Sequence, residues 1–176
     1  MGVCTTVFIT CNTLMNSALI HLLTTHLPVL GILFASILML YGLIRRSREL
    51  KRAALIGYVL TALTGIPAYL SGEEAEDMVE GLPGVTEHYI EEHEDFAKFS
   101  VIGVEIIGVI SLAGIYASRK NTNMIDTFSK GVVLPSLVVV GMMAWTSHLG
   151  GMIRHTEIRS ASAQTQHPSS GSEDKH

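Results

Sequence analysis

Four long apolar stretches constrain the fold of this chain more than any other feature. They run from about residue 27 to 44, 53 to 70, 96 to 117 and 131 to 149. A helix needs roughly 20 mostly apolar residues to cross ~30 Å of hydrocarbon, and none of the stretches alternates as a barrel strand does. Charged residues make up only 16% of the chain, against about 25% in soluble proteins. The sequence therefore predicts an all-α fold, a four-helix transmembrane bundle with up-down-up-down connections.

The basic residues predict how the bundle is oriented. They gather between the first two stretches and again between the last two, whereas residues 71–97 hold carboxylates and no Lys or Arg. Because basic loops stay in the cytoplasm, we expect both termini and an acidic outer loop, residues 71–95, on the other side. That side is the periplasm if the chain is a multi-pass protein of the bacterial cytoplasmic (inner) membrane. The basic residues in question are Arg45, Arg46, Arg48, Lys51, Arg52, Arg119, Lys120 and Lys130.

Three regions follow from this pattern. Residues 1–25 form an N-terminal leader that lacks the basic start of a secretory signal. It is either a short helix at the membrane surface or an upstream extension, with Met15 as the true start. Residues 26–155 form the membrane domain, and the polar, Ser-rich residues 156–176 form a disordered tail.

Several classes of function are excluded by the sequence. The net charge is −4 and no basic tract is present, so a nucleic-acid binder is not expected. The two cysteines, Cys4 and Cys11, form neither a covalent haem motif nor an iron–sulfur motif. There is also no nucleophile paired with a base and no phosphate-binding glycine loop. We therefore expect a subunit, such as a redox subunit, rather than a self-contained enzyme.

Histidines carry the main chemical signal. Six of them fall at the outer ends of the predicted helices, on three different helices, and none lies near a basic loop. Imidazole ligates iron, copper and zinc, and two histidines on separate helices can hold a b-type haem inside a bundle. The alternative is that they are polar helix-end residues that bind headgroups or one another. These candidate metal ligands are His21, His26, His88, His93, His148 and His155.

The spacing of the histidines limits which of them can share a centre. His21 and His26 are five residues apart, as are His88 and His93. That separation corresponds to roughly 140° around a helix. We therefore expect one member of each pair to face the bundle and the other to face water or a second site.

Glu105 is an intramembrane carboxylate, because it lies inside the third apolar stretch. Ionised side chains are costly there and usually face the bundle interior. Its sequence position fits a proton relay or a hydrogen-bonded partner of Tyr58 or Thr61, and equally a protonated structural carboxyl. The acidic loop is either a solvated surface or a docking site for a cation or a basic electron carrier.

Four segments resemble a family of small bacterial membrane proteins known as domain-of-unknown-function family 2231. The family has four membrane helices, and some members are joined to Rieske or cytochrome c-like domains, which implies redox work near the outer face. The residues that match its motifs are His21, His26, His93 and Gly150 with Gly151, whereas Leu22 replaces the family's usual proline. The segments are IHLLTTHLPVLG (20–31), TGIPAYLSGE (64–73), EEHEDFA (91–97) and HLGGMIRH (148–155).

The leading expectation is a b-type cytochrome-like membrane protein that binds haem near its outer face and transfers electrons. His26 and His93 are the expected axial ligands, and Arg154 the partner of a haem propionate. A periplasmic electron carrier, another membrane subunit or a second copy of the chain is the expected partner. The alternative is a non-redox accessory subunit whose outer face binds a divalent metal, or no cofactor. A third interpretation is a small transporter that uses Glu105 as a proton site.

Overall fold

The protein is all-α in the part of the chain that the structure, a computed structural model, describes. This part comprises residues 2–79, 85 and 87–154, with side chains from residue 21 onward except those of residues 73, 77–79 and 154. The helices are α1 (Gly2–Ile44), α2 (Arg48–Val79), α3 (Glu87–Ser118) and α4 (Met124–Arg154). Each contains a segment long and apolar enough to span a membrane: His21–Ile44, Arg48–Glu76, Glu87–Ser118 and Met124–Ile153. The prediction of four apolar helices that suit a transmembrane bundle is confirmed.

The helices extend well beyond the apolar stretches. The acidic segment 71–95 was predicted to be a loop, but α2 continues to Val79 and α3 begins at Glu87. The prediction is wrong there because Glu, Ala and Met are good helix formers. The charge of a glutamate requires contact with water, and an exposed helix provides that as well as a loop does. At the start of the first hairpin, α1 runs without a break from Gly2, so residues 2–25 are continuous with the first span.

A three-residue turn connects α1 to α2. Arg46 adopts a left-handed conformation with φ of 52°. The amide of Ser47 donates to Gly42 O (3.0 Å) and that of Arg46 to Leu43 O (3.2 Å), which closes the end of α1. Ser47 Oγ then accepts a hydrogen bond from the Leu50 amide (3.4 Å) and caps α2. The two helices therefore return along each other as a tight hairpin.

The four helices pack as a ring, with α1 on α2, α2 on α3, α3 on α4 and α4 on α1, while α2 and α4 also touch across the centre. The largest fully buried side chains include Tyr58, Ile32, Met39, Leu55 and Ile107. The outward surface is also apolar: Phe34 is 70% exposed, and Val109 67%. A soluble protein rarely exposes so much contiguous apolar surface, so this surface suits contact with lipid.

Glycines allow close contact within each hairpin. A Cβ atom added at Gly31 would lie 2.6 Å from Thr61 Oγ1, and one added at Gly103 would lie 2.7 Å from Val139 Cγ2. Only glycine leaves room for such an approach. Nearer the turns, Gly42 meets Leu50 and Gly114 meets Phe128 in the same way.

These contacts show that the second hairpin (α3–α4) repeats the first (α1–α2). The equivalent glycines of α1 and α3 lie 72 positions apart (31 and 103, 42 and 114), and their partners on α2 and α4 lie 78 apart (61 and 139, 50 and 128). The same offset makes Tyr58 equivalent to Ser136, and Tyr58 Oη donates to Ser136 Oγ at 2.8 Å. This bond crosses the centre of the bundle, where a two-fold axis relating the hairpins would pass.

Both basic segments lie at one end of the bundle. Lys51, which is buried, forms an ion pair with Asp126, and Arg48 Nη2 donates to Asn123 Oδ1 (3.1 Å). These bonds join the α1–α2 turn to the α3–α4 turn. The parts of α1 and α3 that carry His21 and His93 therefore lie at the opposite end of the bundle, the histidine end.

Candidate histidine site

His21 is fixed against α2 at the histidine end of the bundle. The ring is half-buried, and its Nδ1 lies 3.1 Å from Ala68 O and 3.3 Å from Ser71 Oγ. Because a carbonyl oxygen only accepts, Nδ1 carries the hydrogen and Nε2 is left with its lone pair. Cε1 of the ring lies over Gly72, where an added Cβ would approach it to 3.1 Å. The position of the ring is thus set by one carbonyl and one glycine of the neighbouring helix.

His93 is fixed against α4 in the same manner. It is half-buried, and its Nδ1 donates to Thr146 O at 2.9 Å. Its Cε1 lies over Gly150, where an added Cβ would approach it to 3.1 Å. Thr146 is held in turn by a 3.1 Å hydrogen bond between its hydroxyl and that of Ser100 on α3.

The two sites are equivalent under the hairpin repeat. His21 and His93 are 72 positions apart, and Gly72 and Gly150 are 78 apart, as are the acceptors Ala68 and Thr146. Both rings therefore lie at the histidine end of the bundle, each against the second helix of its own hairpin. Nε2 of each ring makes no hydrogen bond to any described residue. A backbone carbonyl on one ring nitrogen and a free lone pair on the other is the usual arrangement of a metal-binding histidine.

The structure does not bring His26 to this site. Its ring is exposed, and its Nδ1 donates to Leu22 O of its own helix at 2.6 Å. The shallow depression around it is lined by α1 alone, with Leu27, Leu30 and Phe34 among its walls. The spacing argument holds, because His21 faces the bundle and His26 does not. The residue of α1 that faces a neighbouring helix, as His93 of α3 does, is therefore His21 rather than His26, the predicted ligand.

The remaining histidines lie away from the paired rings or outside the described side chains. His88 is exposed, with its Nε2 3.7 Å from Glu92 Oε1. His148 is also exposed, and its ring centre lies 5.5 Å from that of Trp145. His155 and the side chain of Arg154 lie outside the described part of the chain, so the structure does not test their predicted roles.

Two imidazoles are a small donor set. Within the described side chains, no group of three or more His, Cys, Asp and Glu residues could hold a metal ion. A zinc site normally takes three or four protein ligands, so His21 and His93 alone do not complete one. A b haem already has four nitrogen ligands from its porphyrin and takes only axial ligands from the protein. The donor chemistry of His21 and His93 therefore fits a haem iron.

Glu105 lies apart from the histidine pair. Its Oε1 is buried and has no hydrogen-bond partner among the described residues. The hydroxyl of Tyr58 bonds to Ser36 and Ser136, and that of Thr61 donates to Gly57 O. Within the described part of the chain, none of these hydrogen bonds joins Glu105 to Tyr58 or Thr61.

No family model matches this chain, and no curated protein or solved structure matches it either. The site therefore rests on its own geometry. Sequence reasoning missed Gly72 and the carbonyls of Ala68 and Thr146. A signal for Gly72 exists in the repeat, since it corresponds to Gly150, but a backbone acceptor leaves no trace in the sequence.

Proposed function

We propose that this chain is a membrane-embedded, b-type cytochrome-like subunit in which His21 and His93 supply the axial ligands of a haem. The observation that carries the proposal is the equivalence of the two rings. Each is held through Nδ1 by a carbonyl of the neighbouring helix, and neither Nε2 makes a hydrogen bond to a described residue. When bound, the haem would supply one-electron exchange at the outer face of the membrane.

The protein's own part in this function is to hold two neutral imidazoles ready. The carbonyls of Ala68 and Thr146 fix the tautomer in which Nε2 keeps its lone pair and can ligate a metal. Gly72 and Gly150 leave room for the ring edges. Because both rings are anchored before any ligand arrives, little side-chain entropy is lost on binding. Arg154 remains the proposed partner of a haem propionate.

The proposed orientation places the histidine end outside. The two basic turns are joined at the opposite end by the Lys51–Asp126 and Arg48–Asn123 contacts, which supports a common cytoplasmic side for both. The helices would then cross up-down-up-down, with both termini in the periplasm of a bacterial inner membrane. A periplasmic electron carrier or another membrane subunit is the proposed redox partner.

The test is a reduced-minus-oxidised absorption spectrum of the detergent-purified protein, with bound haem measured as its pyridine complex. We expect a b-type α-band in the wild type, and its loss or strong weakening in His21→Ala and His93→Ala. The matched controls are His26→Ala and His88→Ala, which remove exposed rings five residues away and should keep the band. A wild-type protein that carries no porphyrin when the expressing cells are supplied with a haem precursor would contradict the proposal. So would loss of the band in His26→Ala but not in His21→Ala.

A second candidate is a non-redox subunit that binds a metal ion through the same two rings. It is favoured by one observation, namely that two free Nε2 atoms suit a soft ion of low coordination number as well as a haem iron. Elemental analysis of the same preparation separates the two candidates. Copper or zinc in a one-to-one ratio without porphyrin would favour the second.

A further inference from the structure

Glu105 and Gly65 contact each other at positions where the two hairpins carry different residues. The added-Cβ position of Gly65 on α2 lies 3.1 Å from Glu105 Oε1 on α3, so the carboxyl group occupies the space that a side chain at residue 65 would fill. Under the repeat, the equivalent pair is Met143 on α4 and Leu33 on α1. There a buried methionine, 5% exposed, stands where the second helix has glycine. The acid thus occurs together with the space left by the missing side chain of Gly65, the Gly65 notch. Only one of the two equivalent interfaces has this combination.

The surroundings of this carboxyl group are apolar. Ile102, Ile106 and Val109 on the same helix are between 50% and 67% exposed on the outward surface. Glu105 lies twelve residues beyond His93, which is ~18 Å further along the helix. The group is therefore deep in the bilayer, at the boundary between α2, α3 and lipid.

No opposite charge is present at this depth. The sequence has no Lys, Arg, Asp or second Glu in residues 1–44, 53–72, 99–104, 106–118 or 131–153, which cover the apolar part of every helix. Among the described residues no hydrogen-bond donor reaches Oε1. An ionised carboxylate with neither a cation nor a donor is very costly in hydrocarbon, and it takes up a proton instead.

From these contacts we propose that Glu105 is a proton-binding site, which holds a proton at neutral pH and exchanges it with the aqueous phase. The ligand is the proton itself, and the Gly65 notch is the space in which the protonated group is held. A purely structural acid would be expected to have its hydroxyl and carbonyl oxygens bonded to neighbours, whereas no described residue bonds to Oε1 here. The proposal does not depend on haem binding, because the site is remote from both histidines.

The experiment is infrared spectroscopy of the full-length protein in lipid at pH 8. Carboxylates in water, with pKa values of about 4, are ionised there and do not absorb in the carbonyl region of a protonated acid. We expect a protonated C=O band that is absent in Glu105→Gln, shifted in Glu105→Asp and retained in Leu33→Gln. The last variant places an amide at the equivalent position of the first hairpin and controls for general disturbance.

Exchange is read from the same band. Transfer into D2O buffer should move the band to lower frequency within minutes, because the acid proton is replaced by a deuteron. Absence of the band in the wild type would show an ionised carboxylate and overturn the proposal. A band that stays unshifted for hours would show a locked structural proton and overturn it equally. If Glu105→Gln does not fold, the wild-type spectrum and the shift in Glu105→Asp decide the question.

Discussion

The contact between Gly108 on α3 and Ala62 on α2 gives a sharp prediction about the stability of the protein. A Cβ atom added at Gly108 on α3 would lie 2.4 Å from Ala62 Cβ on α2, whereas carbon atoms in contact are about 3.5–4.0 Å apart. Neither atom is at the end of a flexible side chain, so α2 and α3 must separate by roughly 1 Å or more. Overpacking of this kind costs about 1–3 kcal/mol, and replacing glycine in a helix returns about 0.5–1 kcal/mol. We expect Gly108→Ala to lower the free energy of unfolding, by up to about 2.5 kcal/mol.

The chain supplies a matched control for this substitution. Gly141 on α4 is also helical, but an added Cβ meets nothing within 4 Å. Gly141→Ala should therefore raise the free energy of unfolding by about 0.5–1 kcal/mol. The difference between the two variants isolates the packing cost, since the helix-propensity gain is common to both. Unfolding in mixed micelles of dodecylmaltoside and SDS, followed by circular dichroism and by the fluorescence of the single tryptophan, measures both.

A compensating variant makes the test stricter. Ala62→Gly removes the atom that the new Cβ meets, so Gly108→Ala combined with Ala62→Gly should be less destabilised than the sum of the two single variants. If Gly108→Ala is as stable as Gly141→Ala, or if the double variant shows no coupling, then α2 and α3 do not approach as closely as the structure has them. The packing of the notch at Gly65 would then be in doubt as well.

Two further predictions concern the turn and the core. Arg46→Gly should raise the free energy of unfolding by about 1 kcal/mol, because glycine adopts the left-handed φ without strain. Arg45→Gly, one residue earlier in the same turn, is the control. Equal effects of the two substitutions in the same unfolding assay would contradict the reasoning. Tyr58→Phe should lower the free energy of unfolding by about 1 kcal/mol, because the hydrogen bond to Ser136 is lost. Tyr41→Phe, on a side chain that is 51% exposed, should change this free energy little. If Tyr58→Phe does not change it either, the bond between Tyr58 and Ser136 contributes nothing to stability.

The sequence predicted the helices well because each span is a local property. Mean hydropathy and length decide whether a segment crosses a bilayer, and neither depends on its neighbours. The acidic segment 71–95 departs from the expected loop, because residues 71–79 belong to α2 and residues 87–95 to α3. Local composition thus fixed the number of helices but not their ends.

The site was predicted less completely, for a geometric reason. The five-residue spacing required that His21 and His26 face different directions, but sequence alone offered no means of deciding which one faces the bundle. The repeat would have decided it. His21 and His93 occupy the same register as the glycine pair Gly31 and Gly103, and those glycines mark the face that packs inside each hairpin. A comparison of the chain with itself at an offset of 72 would have selected His21.

The repeat also separates the two chemical features of the molecule by their symmetry. A ligand held on a two-fold axis needs equivalent donors from both halves, and His21 and His93 meet that condition in residue type, anchoring and neighbouring glycine. Glu105 meets the opposite condition, because its counterpart is Leu33 and its notch is filled by Met143 in the other half. A group that occurs in only one hairpin cannot supply equivalent ligands from both sides of a two-fold axis. This symmetry supports the proposal of one haem shared by the two histidines and keeps the carboxyl group separate from it, so variants of Glu105 are expected to leave the spectrum of the proposed haem unchanged.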